Sequence, residues 1–100
     1  CRDAHTACCR ILGVEDLTIR AVMEGLSEEL PDRIRHILQF AVKCAAGPHE
    51  LQDDDFASLR QQGLDSEQIL EVIATASMAV YAIIIADATM LDTDAMYASI

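Results

Sequence analysis

Tryptophan is absent and aromatic residues make up only 4% of the 100 residues, so any core must be built from Ala, Val, Leu and Ile side chains. Four glycines and two prolines are too few for the closely spaced turns of a β-sandwich or barrel. They are also too few for a low-complexity disordered chain. Positive charge is scarce: seven basic residues face 17 acidic ones, for a formal net charge of -10 and a pI near 4.4. The basic residues, Arg2, Arg10, Arg20, Arg33, Arg35, Lys43 and Arg60, are scattered along the chain. A polyanion finds no patch to hold it, which argues against nucleic acid and against an anionic membrane surface. The longest uncharged run, Val72 to Ala86, falls short of the ~20 residues that span a bilayer. A soluble, cytoplasmic protein is the expectation. A lipoprotein also begins with cysteine, but its polar tether has no counterpart here, because a periodic apolar pattern starts within four residues of Cys1.

What the sequence does contain is helical periodicity, and no stretch alternates with period two for long enough to be a strand. The expected fold class is all-α, one domain over residues 1–100, with about five helices. Ala4, Cys8, Ile11 and Leu12 share a face of a helix over about Asp3 to Leu12, which Gly13 would end. A second helix, about Glu15 to Glu24, would pack through Leu17, Ala21 and Val22 and stop at Gly25. Ser27 can cap the next helix, with Pro31 at an early position. There Ile34, Ile37, Leu38, Ala41, Val42 and Ala45 form an apolar stripe that ends at Gly47 and Pro48. Asp53 to Asp55 open a short helix carrying Phe56 and Leu59 and closed by Gly63; Asp65 with Gln68 resembles a capping box for a last helix, about Ser66 to Met90.

The last helix bears on assembly. Val72, Ile73, Ala76, Met78, Val80, Ile83, Ile84 and Ile85 are distributed around its whole circumference. Four shorter helices are too few to wrap it readily, so burial against another subunit is expected, and with it a homo-oligomer; the alternative is a central helix in a compact monomer.

Cys1 and His5 lie four residues apart and therefore neighbour each other on one helical turn, with the thiol at the helix N-terminus. Both the macrodipole and an adjacent imidazole favour thiolate, the form in which cysteine acts as a nucleophile. Cys1, His5 and Cys8 also repeat at i, i+4 and i+7, but a zinc site would need His36, His49 or Cys44 to complete it, and none has a matching spacing. No metal or other cofactor is expected. Cys8, Cys9 and Cys44 are read as small core residues, and His36 and His49 as solvent-exposed. The Asp53 to Asp55 run lacks the glycine and later glutamate of a calcium loop and is read as helix capping.

Cys1-Arg2-Asp3-Ala4-His5-Thr6-Ala7, followed by Ile11-Leu12-Gly13-Val14, resembles the second half of the Cys-x-x-Cys-x-x-x-His segment of alkylhydroperoxidase D (AhpD)-like proteins, within the carboxymuconolactone decarboxylase superfamily. Ile37 to Lys43, Leu59 to Leu64 and Glu67 to Val72 are similar, in order and spacing, to that superfamily's peroxidase-related branch. The resemblance implies a helical subunit of a trimer or hexamer and a peroxidase whose cysteine pair cycles between dithiol and disulfide. Its substrate would be a hydroperoxide and its reductant a dithiol electron donor. By position, Cys1 matches the cysteine that attacks peroxide and His5 the histidine of the proton relay. The partner cysteine would lie three residues before Cys1, and the relay glutamate further upstream. Late in the last helix, where relatives often carry Asn, stand Val80 and Ile83. Two rivals remain: a carboxymuconolactone decarboxylase-like lyase, against which the acidic surface and the lack of an arginine pair argue, and a helical oligomer without redox activity.

Overall fold

The structure, a computed structural model, describes residues 2–90. These form five α-helices and no strand: α1 (Arg2–Ile11), α2 (Asp16–Met23), α3 (Asp32–Ala46), α4 (Asp53–Gln61) and α5 (Ser66–Ala88), with one 3₁₀ turn at Pro48–Glu50. The all-α class therefore stands, and each helix lies within a few residues of its expected span.

The boundaries follow local chemistry. Asp65 accepts a hydrogen bond from the Gln68 backbone N–H at 2.8 Å while the Gln68 side chain accepts from the Asp65 N–H at 2.9 Å, a reciprocal box that starts α5. A second box starts α4, where the Asp55 carboxylate accepts from the Gln52 N–H at 2.8 Å. That accounts for the triple aspartate as capping chemistry. At the end of α4, Gly63 takes φ +90°, which lets the Leu64 N–H reach back to the Leu59 carbonyl at 3.2 Å. Ser27 behaves differently from expectation. It does not cap α3, which begins only after Pro31; its backbone N–H instead closes α2 by donating to the Ala21 carbonyl, and its hydroxyl is buried with no protein partner.

Helix α3 is the centre of the packing and lies against both α4 and α5, whereas α1 packs on α2. Phe40 and Cys44 of α3, Leu59 of α4, Leu64, and Ile69 and Ala76 of α5 form the core, with Phe40 and Phe56 meeting edge to face at 5.3 Å between ring centres. The radius of gyration is 14.8 Å, against ~13 Å for a compact 100-residue domain, and the principal extents are 42 × 31 × 22 Å.

Several packing expectations are corrected by this arrangement. Helix α1 has a neighbour along one narrow face only, so it buries Ala7, while Cys8, Ile11 and Leu12 face outward. Helix α2 buries Ile19 and Ala21 and leaves Leu17 and Val22 exposed. In α3 the covered side is centred on Phe40 and Cys44, and the outer part of its apolar stripe, Ile34, Val42 and Ala45, remains open.

Candidate functional site

Residue Cys1, the expected nucleophile, lies outside the described residues. His5 is placed: it is exposed, in the first turns of α1, which starts at Arg2, immediately after Cys1 in the chain. The imidazole therefore stands in the N-terminal turns of α1.

The other cysteines separate by environment. Cys44 is buried in the core, as expected. Cys8 is exposed and Cys9 half-buried, which corrects the reading of both as core residues; the cause is the single-sided packing of α1. His49 is exposed on the 3₁₀ turn. His36 is not solvent-exposed as expected but half-buried, with its Nδ1 2.8 Å from the Gln62 side-chain nitrogen, a contact in which the amide donates to the ring. Gln62 also receives Arg33, whose Nε donates to the Gln62 carbonyl at 3.2 Å. Together these contacts tie the N-terminal half of α3 to the turn between α4 and α5. Among the described residues no three His, Cys, Asp or Glu side chains come close enough to hold a metal ion.

Lys43 and Asp55 form a half-covered ion pair across α3 and α4, with Nζ 3.0 Å from Oδ2 and 3.2 Å from Oδ1. The Gln52 backbone N–H and then the Lys43 ammonium hold the Asp55 carboxyl below the usual carboxylate range. The pair fastens α3 to the first turn of α4.

The feature that sequence reasoning missed is a groove of about 880 Å³ between α3 and α5, floored and walled by Leu38, Val42, Ala79, Val80 and Ile83 and closed at one side by Val22 and Leu26. Arg33, Gln68 and Glu71 are polar residues of its lining. Leu26 holds φ +60°, a left-handed conformation that a leucine adopts only at some cost. A signal existed in the α3 stripe, which is wider than contact with one neighbour needs.

Helix α5 is long and apolar enough, by length and composition, to cross a membrane, with mean hydropathy 2.2 over its most apolar window and 11% of that window buried. It carries Glu67, Glu71 and Asp87, however, and the uncharged stretch between the last two rises only about 22 Å against a hydrocarbon core of ~30 Å. Comparison of the chain with family models, with curated proteins and with solved structures yields no match.

Proposed function

We propose that this chain is a thiol-dependent oxidoreductase that reduces hydroperoxides, with Cys1 as nucleophile and His5 as the group that carries protons to and from the reacting oxygen. The observation that supports it most is the placement of His5, exposed at the N-terminal end of a helix that begins directly after Cys1. The resemblance of residues 1–14 and of the later segments to AhpD-like proteins points the same way.

In this reading the Cys1 thiolate attacks the terminal oxygen of the hydroperoxide. The O–O bond breaks, the departing alkoxide takes a proton from His5 and leaves as alcohol, and Cys1 becomes a sulfenic acid. A resolving thiol then attacks the Cys1 sulfur, water leaves and a disulfide forms. A dithiol donor returns the site to its starting state by exchange, so two electrons and two protons pass from donor to peroxide in each cycle. The protein acts without a metal or cofactor, as a cytoplasmic homo-oligomer of trimeric or hexameric type; the exposed Met78, Tyr81, Ile84 and Ile85 on α5 support the assembly.

The test is peroxide consumption with dithiothreitol as donor. Wild-type protein is expected to turn over catalytically, Cys1→Ser to be inactive, and His5→Gln to lose about a hundred-fold in rate with a changed pH profile. Activity that survives Cys1→Ser overturns the proposal.

A further inference from the structure

Among the described residues the helices pack as two separate groups. Helix α3 lies against α4 and α5, and the core that joins these three draws every member from the stretch between Ile37 and Ala76. Helix α1 packs on α2, and no packing of similar extent joins either of them to α3, α4 or α5. The polar contacts that fasten each group are its own. Arg10 pairs with Asp16 at 3.2 Å in the first, whereas Arg33 and His36 reach Gln62, and Lys43 reaches Asp55, in the second. Where the α1–α2 hairpin comes up to the rest, it does so at the rim of the groove, through Val22 and Leu26.

Residues 24–31 link the two groups, and backbone strain is found in this link. Gly25 and Leu26 take φ +91° and +60° in succession. Glycine does so freely, but the Cβ of a leucine crowds its own carbonyl in this region, so Leu26 is held there by its surroundings. The next residue carries a second cost, because the Ser27 hydroxyl is buried with no protein partner.

We infer that the α1–α2 hairpin is a hinged arm that swings relative to α3, α4 and α5 about Gly25 to Ser27. One rotation relieves both costs: Leu26 returns to negative φ, and the Ser27 hydroxyl reaches water. Against it stands the main-chain bond across Leu26, from the Ser27 N–H to the Ala21 carbonyl at 3.1 Å, whose loss costs little once both groups bond water. The opposing contributions are thus close in size, which is the condition for two populated positions. The inference stands independently of the oxidoreductase reading, since it uses no property of Cys1. His5 is carried on α1, so the candidate site moves with the arm.

Distances between two spin labels, read by pulsed electron spin resonance, test this. One label sits on exposed Cys8 and the other on Asp54→Cys, an exposed position at the start of α4, with Cys1 and Cys9 replaced by serine and buried Cys44 left unlabelled. Excess unlabelled protein ensures that only distances within one copy are read. The wild type is expected to show two distances, the open one at about a tenth of the population. Leu26→Pro identifies it: proline cannot reach φ +60°, so that variant should show the open distance alone, with circular dichroism confirming its helices. Leu26→Ala and Leu26→Asn both remove the leucine side chain, but Asn accepts the left-handed region far better, so its open fraction should be about threefold lower than that of Leu26→Ala. Ser27→Ala removes the buried hydroxyl and should lower the open fraction about fivefold against wild type. A single narrow distance shared by the wild type and Leu26→Pro overturns the arm. Two distances with equal open fractions in Leu26→Ala and Leu26→Asn overturn the hinge at Leu26, and this pair decides alone if Leu26→Pro loses its helices.

Discussion

Leu59→Ala removes the most deeply buried large side chain among the described residues, one with 0% exposure at the junction of α3, α4 and the start of α5. The surrounding Phe40, Leu64 and Ile69 belong to separate elements and cannot all move inward to fill the space. The loss therefore combines the transfer of the missing methyl groups with most of a cavity penalty, about 3 to 5 kcal/mol. A domain of this size is stable by only about 5 to 15 kcal/mol, so about a fifth or more of its stability goes with one side chain. In urea, at about 1 to 3 kcal/mol per molar of denaturant, the unfolding midpoint should fall by roughly 2 M. Ile84→Ala is the control: at 60% exposure it gives up little within one chain and should cost under about 1 kcal/mol when the protein is dilute. Its cost should rise with protein concentration if α5 is covered by other copies. A midpoint shift below about 0.5 M for Leu59→Ala, or one smaller than that of Ile84→Ala in dilute solution, would refute the placement of the core.

The Asp55 carboxyl is held below its usual range in the folded chain, so its contribution to stability is present above the unfolded carboxyl value of about 3.9 and is lost as the pH falls through its folded value. Asp55→Asn should accordingly be less stable than wild type at pH 7, with the gap closing in acid; urea midpoints from pH 7 to pH 2 would show it, and a gap of constant size would contradict the assigned contacts. The cysteines should alkylate with iodoacetamide at pH 7 in the order Cys1, then exposed Cys8, then buried Cys44, with His5→Ala slowing Cys1 alone. Equal rates at Cys8 and Cys44 would deny the outward rotation of α1.

Helix positions were legible in the sequence because their signals are local. Gly13, Gly25 and Gly63 each take the left-handed conformation that ends a helix, and Asp65 with Gln68 closes the box that begins α5. Which face of each helix is covered was less legible, since periodicity gives a direction only when the neighbour is known. Cys8 and Ile11 share a stripe with Ala4, yet α1 meets α2 through Ala7, and no local pattern distinguishes those two sides. The groove was hidden for the same reason: Val42 reads as part of the α3 stripe and Ile83 as part of an apolar circumference expected against another subunit, and neither pattern shows that α3 and α5 leave a groove between them. At the candidate site, the Cys1 and His5 spacing was visible at once, whereas the Arg33, His36 and Gln62 contacts join residues 26 and 29 positions apart, which no short motif encodes.

The central claim, that Cys1 is a peroxide-reactive thiol, is tested most directly by a single turnover in the presence of dimedone. One equivalent of hydroperoxide is added to the reduced protein, and each cysteine is mapped by mass spectrometry while peroxide is measured in parallel. The account predicts peroxide consumed within the mixing time of the slower cysteines' oxidation, with oxidation confined to Cys1 as a dimedone adduct or as a disulfide that dithiothreitol reverses, and with loss of both in Cys1→Ser. Unconsumed peroxide with no adduct, or oxidation spread evenly over Cys1, Cys8 and Cys9, would contradict it.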